Sequence, residues 1–301
     1  MIKIAYSPVY RHPLPEDHRF PMLKYERIPH QLVQEGLIDA NALFEPLPCE
    51  LEVLTLTHTP AYVDGLMHGT LDEKMFRKIG FPWSRGLFER ERILIQGTID
   101  CAKYAKDHGV SLNVAGGTHH AFADRGEGFC LMNDMAVAAN YLLHHRLAKR
   151  ILIIDLDVHQ GNGTARIFNN RPEVFTFSMH GKGNYPFHKE QSDLDIELED
   201  GTDDNSYLGL LELHLSAIFE QHKPDMIFYQ AGVDILASDR FGKIAVTPEG
   251  CVHRDALVFS YCKKSGTPVA VSMGGGYSPN LDDVVTAHCR TFKSAIQTFF
   301  T

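Results

Sequence analysis

The sequence predicts an α/β protein in which helices cover both faces of a mostly parallel sheet. Short apolar runs alternate along the chain with longer helical patterns. The runs are apolar at nearly every position, as strands buried on both faces must be, and strand–helix alternation implies a parallel sheet between two helical layers. No linker rich in Pro, Gly or Ser and no internal repeat divides the chain. We therefore expect one three-layer α/β/α domain over residues 1–301.

The predicted elements follow one another in a regular order. Residues 1–6 have the pattern of a first strand and not of a signal peptide, because no basic head precedes a long apolar run. Further strands are predicted over residues 111–115, 150–155, 174–178, 225–229 and 268–272. Helices are predicted over residues 87–107, 133–145, 205–222 and 248–264. The last helix has Thr247 as its N-cap, Pro248 at its first position and Gly266 just beyond its end.

The composition is that of an acidic globular protein. Apolar residues make up 44% and charged residues 22% of the chain, which excludes a disordered or coiled-coil protein. The 29 Lys and Arg against 38 Asp and Glu give a net charge of -9, which argues against general binding to nucleic acid. No apolar stretch reaches the ~18 residues that span a bilayer. We therefore expect that the protein binds no membrane. The six cysteines include no CxxC pair, and a reducing, cytoplasmic setting is expected.

Chemically active side chains follow the ends of five predicted strands. In open parallel sheets, ligands bind beyond the carboxyl ends of the strands. Turns that carry His, Asp or Tyr, most of them rich in glycine, occupy these positions at residues 116–122, 155–163, 179–180, 230–234 and 273–277. A single His or Asp at a strand end is most often structural. Five such ends at one edge of a sheet indicate a functional site.

One of these turns has the spacing of a metal site. Asp155, Asp157 and His159 alternate along an extended segment, so their side chains fall on one face. Two of them, together with Asp234 from a neighbouring strand end, would make a three-ligand site with an open position, which is the format of catalytic zinc. Two oxygens and one nitrogen also suit Fe²⁺, Co²⁺ or Mn²⁺. The alternative is that the aspartates cap a turn and His159 packs in the core.

The motifs together resemble the zinc-dependent histone deacetylase family, which has the arginase–deacetylase fold. They are GGTHHA (116–121), GFCLMND (128–134), DLDVHQGNG (155–163), QAGVD (230–234) and GGGY (274–277), in the family's order. HRFPMLKYERI (18–28) and FPWS (81–84) resemble the class IV branch and its bacterial relatives. The resemblance implies hydrolysis of an acetyl or longer acyl group from an amine, usually the side chain of acyl-lysine.

The resemblance also implies a role for each catalytic residue. Asp157, His159 and Asp234 are the implied zinc ligands. His119 and His120 are the tandem histidines, with Asp155 behind the first and Asn162 behind the second, and the Tyr277 phenol faces the metal. Asn162 departs from the class I pattern, which often has Asp there.

In the implied reaction, a metal-activated water attacks the amide carbonyl. His120 is the general base, and the Tyr277 hydroxyl stabilises the oxyanion. His120, assisted by His119, then protonates the leaving amine.

The resemblance implies two further sets of residues. The walls of an acyl-lysine channel correspond to Gly128, Phe129, Tyr185 and Gly275, and Arg19 corresponds to an arginine at the channel's inner end. A structural potassium ion beneath the zinc corresponds to Asp155, Ser178 and the backbone carbonyls of Asp157, His159 and Met179.

Other functions would show different sequence features. An arginase-type ureohydrolase needs carboxylates for a second metal, but residues 233–236 supply only Asp234 among apolar residues. A catalytically inactive binding module would lack a metal ligand or Tyr277, whereas every catalytic position is filled. A deacylase of small amines such as acetylpolyamine generally has a longer insertion before the tandem histidines, where this chain is compact. An acyl-lysine peptide or protein is therefore the preferred substrate, with a small acylated amine as the alternative.

Three residues near the motifs have both a structural and a functional interpretation. Cys130 is expected to pack near the site, because no group that would activate its thiol adjoins it. His180 either lines the pocket or packs in the core. Trp83, with Phe81 and Pro82, is expected at the rim of the entrance.

Overall fold

The computed structural model describes residues 2–301, which build one sheet of eight strands. In chain order the strands are β1 (Ile4–Ala5), β2 (Leu43–Phe44), β3 (Val110–Asn113), β4 (Ile151–Asp155), β5 (Val174–Gly181), β6 (Leu194–Leu198), β7 (Met226–Gln230) and β8 (Val269–Ser272). Their order across the sheet is β2-β1-β3-β8-β7-β4-β5-β6, and every neighbouring pair is parallel.

Helices connect the strands and flank the sheet. They are α1 (Lys24–Gln34), α2 (Leu51–Leu54), α3 (Pro60–His68), α4 (Glu73–Ile79), α5 (Arg85–His108), α6 (Asp134–His144), α7 (Asn162–Phe168), α8 (Asp204–His222), α9 (Pro248–Ser265) and α10 (Leu281–Phe300). As predicted, Thr247 caps α9 by accepting from the Gly250 N–H, and Gly266 ends the helix with a left-handed φ of 68°. None of these helices is long and apolar enough to cross a bilayer.

The centre of the sheet explains why its strands were predictable. Every residue of β3, β4, β7 and β8 is buried. A strand covered on both faces has no position for a polar side chain on a solvent face, so its sequence is nearly continuously apolar. The prediction of a parallel α/β sheet is confirmed. The five internal strands and four helices lie within three residues of their predicted ends.

The elements that were not predicted lie mostly at the periphery. β2 has two residues and β6 is largely half-exposed, so neither has a buried apolar run. α1 contains Pro29, which normally interrupts a helical pattern. The predicted first strand is the short β1, and Met1 lies outside the described residues.

Candidate active site

Five neighbouring strands bring the predicted turns to one edge of the sheet. β3, β8, β7, β4 and β5 are adjacent in that order. Because each pair is parallel, their carboxyl ends lie at the same edge, and the turns that follow them meet there. The arrangement of the strands, and not proximity in sequence, therefore assembles the site.

An Asp–His–Asp cluster lies at the centre of this edge. Asp157, His159 and Asp234 are buried, and one potential ligand atom from each lies within 4.8 Å of the others. His159 Nδ1 is 3.0 Å from Asp157 Oδ1 and 3.1 Å from Asp234 Oδ2. Among residues 2–301, one group of three or more His, Cys, Asp or Glu side chains is close enough to hold a metal ion, and it is this cluster.

Backbone N–H groups orient the two carboxylates of the cluster. The Gly275 N–H donates to Asp157 Oδ2 at 2.8 Å, and the Val158 N–H donates to Asp234 Oδ1 at 2.9 Å. The other oxygen of each carboxylate is the one that faces His159. Gly275 has to be glycine, because a Cβ there would overlap the Asp234 carboxylate. The donor atoms are thus held in place by the backbone of neighbouring turns.

The electrostatics of the cluster fit a bound cation. Burial and the nearby Asp157 charge raise the pKa of Asp234 to about 7. Burial lowers the pKa of His159, but hydrogen bonds with Asp157 and Asp234 outweigh it and raise the pKa to about 10. Two buried carboxylates therefore stabilise a positive charge between them. One nitrogen and two oxygen donors are a common ligand set for a divalent metal in a catalytic site, so the residues fit such an ion.

The tandem histidines have different partners. His119 Nδ1 lies 2.7 Å from Asp155 Oδ2, and His120 Nδ1 lies 2.7 Å from Asn162 Oδ1. The Asn162 Nδ2 donates to Glu127 Oε1 at 2.7 Å, which fixes the amide so that its oxygen faces His120. An amide oxygen only accepts, so His120 carries its proton on Nδ1. Its Nε2 is then an unprotonated acceptor.

The two histidines differ in pKa as a result. Burial lowers the pKa of His120 well below its usual value, and the positive charges of His119 and His159 lower it further. Burial also lowers the pKa of His119, but the Asp155 and Asp157 carboxylates outweigh burial, so the pKa of His119 lies above its usual value. His120 is therefore the better proton acceptor at neutral pH, because it is the one that stays neutral.

A buried carboxylate that was not predicted holds the histidine turn. Asp134 Oδ1 accepts from the backbone N–H groups of Gly117 and Thr118 at 2.9 and 2.8 Å, and from the Thr118 hydroxyl at 2.8 Å. Its Oδ2 accepts from the hydroxyls of Thr98 and Ser272 at 2.7 and 2.9 Å. Three donors from the chain immediately before His119 are thus fixed by one carboxylate, which two further hydroxyls hold in place. Asp134 closes the motif GFCLMND, which was the only sequence signal for it.

Tyr277 lies where the turn after β8 enters the pocket. Its backbone N–H donates to Asp239 Oδ2 at 2.6 Å, and its ring packs 5.1 Å from the ring centroid of Phe241 and 6.0 Å from that of Phe20. Burial raises its pKa well above the usual value, and the Asp157 and Asp234 charges raise it further. The phenol therefore keeps its proton and can act as a hydrogen-bond donor.

A pocket of ≈ 400 Å³ leads from the surface to these residues. His120, His159 and Tyr277 line it, and its walls include Gly128, Phe129, Tyr185 and Phe241. The Tyr185 ring lies 4.9 Å from that of His120 at 90°. Three of the four predicted wall residues thus lie in the pocket, and Gly275 lies in the small cavity that continues behind it.

The backbone at the Gly128–Phe129 turn is strained. Phe129 has a φ of 66°, a left-handed conformation that costs a bulky residue about 1–3 kcal/mol. Its N–H donates to the Ile79 carbonyl at 2.7 Å, and the Gly128 N–H donates to the Lys78 carbonyl at 3.0 Å. These bonds to the end of α4 hold the strained turn, which places the Phe129 ring in the pocket wall.

The prediction that Arg19 lies at the inner end of the channel is wrong. Arg19 is exposed, lines the outer pocket, and has its guanidinium 5.7 Å from the Phe241 ring centroid. Two buried cations lie deeper. Arg90 lines the inner cavity, and Lys24 donates to the Gly274 carbonyl at 3.0 Å. Burial lowers the pKa of Lys24 to about 8. Which cation goes inside depends on where α1 packs, and α1 was not predicted.

Two of the residues implied for potassium are neighbours across the sheet. Asp155 and Ser178 are register partners on β4 and β5, and Met179 is buried beside them. The Ser178 hydroxyl lies 2.9 Å from His180 Nδ1. His180 was expected either to line the pocket or to pack in the core. It is fully buried on β5, so it packs in the core. Potassium itself stays a prediction.

Trp83 was expected at the rim of the entrance, but it does not line the pocket. Its indole N–H donates to the Leu66 carbonyl at 2.7 Å, and its ring covers Gly69 at the end of α3. Phe81 packs against Phe129 inside the wall, with ring centroids 5.4 Å apart. Cys130 is buried, and burial raises the pKa of its thiol, in agreement with a packing role.

Comparisons with known proteins agree with the geometry. The family model described as histone deacetylase domain matches residues 18–292. An uncharacterized protein of Picosynechococcus sp. is 46% identical over 292 residues, which cover 97% of each chain. Histone deacetylase 2 of Arabidopsis thaliana is 29% identical over 86% of this chain and 70% of its own length.

Two solved structures are also similar over nearly the whole chain. They are an HDAC homolog complexed with SAHA, at 26% identity, and an HDAC homolog from Aquifex aeolicus, at 25% identity. Both have a TM-score of 0.84, and the match covers 99% of this chain and 83% of each of theirs. They confirm the fold type that the motifs predicted.

Proposed function

The chain belongs to the histone deacetylase family, and from that premise we propose that it is a metal-dependent deacylase of acyl-lysine side chains. It is a hydrolase of the deacetylase class. The finer proposal is that residues 1–301 act as one catalytic domain, with zinc as the metal at Asp157, His159 and Asp234 and with Fe²⁺ or Co²⁺ as alternatives. The observation that carries it is the convergence of this buried cluster, the His120 ring and the Tyr277 phenol on one pocket.

The roles of the residues follow from their partners. When bound, a divalent metal would supply a Lewis acid that polarises the amide carbonyl and acidifies a water molecule. His120 accepts a proton from the attacking water on Nε2, because Nδ1 is already protonated and held by Asn162. The Tyr277 hydroxyl donates a hydrogen bond to the carbonyl oxygen as negative charge develops there. His120, with His119 beside it, returns the proton to the leaving amine, so the products are a carboxylate and a free amine.

The walls suit an extended, uncharged acyl-lysine stem. Phe129, Tyr185 and Phe241 present aromatic surface between the mouth and the cluster. The methylene groups of a lysine side chain bury well against such surface, whereas a free ammonium would have to be desolvated. A neutral acyl amide is thus the form of lysine that the pocket accepts.

A two-metal ureohydrolase lacks ligands in this site. Ile235 and Leu236, which follow Asp234, are buried apolar residues. The part of the chain that the structure describes contains one group of side chains that could hold a metal. A second ion that bridges to the first would therefore have no carboxylates of its own.

The proposal is tested by activity and metal content together. Purified protein is stripped with a chelator, reloaded with Zn²⁺, Fe²⁺ or Co²⁺, and assayed on acetyl-lysine peptide, a longer acyl-lysine peptide and an acetylpolyamine. We expect hydrolysis of an acyl-lysine peptide only after reloading, at about one metal per chain. Hydrolysis by fully stripped protein, or of acetylpolyamine alone, contradicts the proposal.

A further inference from the structure

The Lys, Arg, Asp and Glu side chains that line the pocket are all positively charged. Among residues 2–301, the Lys and Arg side chains that line the pocket are Arg19, Arg77, Lys78 and Lys243, and no Asp or Glu lines it. We call these four residues the basic mouth. They come from three separate segments, namely the chain before α1, the end of α4 and the loop before α9. The chain as a whole has a net charge of -9, so this local excess runs against its composition.

The charges of the basic mouth are only partly neutralised within the chain. All four side chains are exposed. Arg77 pairs with Glu73 on the same helix at 2.9 Å, and Lys243 lies 4.0 Å from Asp200. No carboxylate of residues 2–301 forms an ion pair with Arg19 or Lys78. Exposed ion pairs are weak, so a ligand can compete even for the two paired cations.

We propose that the basic mouth selects acyl-lysine peptides in which acidic residues flank the acylated lysine. The inference rests on the proposed function, because it assumes that the acyl-lysine stem occupies the pocket. The exposed cations at the mouth attract anionic groups of a substrate that remain outside the pocket. The residues on either side of the lysine are the parts of a peptide that remain outside.

Two observations favour a peptide over a compact anion. The four cations come from three separate segments that line the pocket, which suits charges distributed on both sides of the lysine. Phe187 also lines the mouth and is 85% exposed, which offers an apolar contact for a neighbouring side chain. An acetylpolyamine would instead bring further ammonium groups next to the four cations. The basic mouth therefore disfavours the small-amine alternative.

The expected preference is moderate and sensitive to salt. An exposed charge pair changes affinity severalfold at most, so two or three such contacts give about tenfold. The Debye length is ~8 Å at physiological ionic strength and ~3 Å at 1 M, so the preference falls as salt is added. Charge at an entrance also steers encounter, so the effect is expected mainly in kcat/KM.

The experiment uses three acetyl-lysine peptides of equal length, with two Asp, two Ala or two Arg residues on each side of the lysine. Values of kcat/KM are measured for the metal-loaded protein at about 20 mM and 500 mM salt. Binding of the same peptides, labelled with a fluorophore, is measured by anisotropy with metal-free protein. We expect acidic peptides to exceed basic ones about tenfold at low salt, in both readouts, with most of the difference lost at high salt.

Matched variants separate the basic mouth from overall charge. Lys78→Glu combined with Lys243→Glu should abolish or invert the preference. Lys293→Glu combined with Lys264→Glu makes the same change in net charge at exposed positions on α10 and α9 that do not line the pocket, and should keep it. If the wild-type protein has equal kcat/KM values on all three peptides, the inference is overturned and the proposed function is left intact. Hydrolysis of acetylpolyamine but of none of the peptides overturns both.

Discussion

The floor of the pocket and its mouth hold charge in opposite ways. At the floor, which comprises Asp157, His159, Asp234, His120 and Tyr277, the charged groups of the Asp–His–Asp cluster are buried and lie within hydrogen-bond distance of one another. At the basic mouth, the cations are exposed, and two of the four form exposed ion pairs with a carboxylate. A buried charge without a partner is very unfavourable, whereas water screens a surface charge. Substitutions at the floor should therefore change activity by orders of magnitude, and those at the mouth by about tenfold.

The largest effect is expected from Asp234→Ala. The change removes one of three metal donors and leaves the Val158 N–H without its acceptor. We expect loss of most bound metal and of nearly all activity, beyond the ~10–100-fold typical of residues that only support a ligand. Metal content by mass spectrometry and kcat/KM are measured on the same samples. Asp107→Ala, which removes an exposed carboxylate near the end of α5 that does not line the pocket, is the control and should retain both. Near-stoichiometric metal in Asp234→Ala would exclude the proposed ligand set.

The next effect is expected from Tyr277→Phe. The ring contacts with Phe241 and Phe20 are kept, so the change removes only the hydroxyl. Loss of one donor to an oxyanion typically lowers kcat by ~10²–10³. We expect that decrease with KM nearly unchanged, because the hydroxyl acts in the transition state. Tyr185→Phe removes a hydroxyl from the wall of the same pocket and should stay within a few-fold of wild type. If Tyr277→Phe stays within about twofold, the phenol is not the donor.

The same contrast explains what the sequence could predict. The spacing of Asp157 and His159 and the turns at neighbouring strand ends are local patterns in the sequence. The expected strand face is wrong, however, because β4 ends at Asp155 and both residues lie in the turn beyond it. The central strands were predictable because burial on both faces leaves a continuous apolar run. Both predictions depend on burial, which restricts residue type strongly.

The mouth follows no such local pattern. Lys78 and Lys243 are far apart in sequence and come together only through the packing of α4 against the Gly128–Phe129 turn and of the loop before α9. The error over Arg19 has the same origin, because several cations precede or begin α1 and only its packing decides that Lys24 is the buried one. A surface charge is tolerated almost anywhere, so its type and spacing carry little information. The class IV relationship, the cytoplasmic location and the metal's identity stay predictions.

The smallest expected effect concerns the residues that hydrogen-bond to the tandem histidines, His119 and His120. Asn162 contacts His120 through its amide oxygen and Glu127 through its amide nitrogen, each at 2.7 Å. A neutral partner orients the His120 ring without stabilising its protonated form, whereas Asp155 stabilises protonated His119. In Asn162→Asp, the new carboxylate would favour protonated His120, but it would also face the Glu127 carboxylate. The two acids could share a proton and so mask the effect on His120.

The clean test is therefore Asn162→Asp together with Glu127→Gln, because the glutamine amide can donate to the new aspartate. A carboxylate beside His120 raises the pKa of the imidazole, and the base must be unprotonated to accept the proton from water. The acid limb of kcat/KM should therefore move to higher pH, with the alkaline limb nearly fixed, and each unit of movement corresponds to ~1.4 kcal/mol in favour of the charged ring. Glu127→Gln alone keeps an acceptor for Asn162 and is expected to leave the acid limb in place. If the limb does not move in a folded, metal-loaded double variant, Asn162 only shapes its turn, and the difference between the two histidines does not depend on their partners.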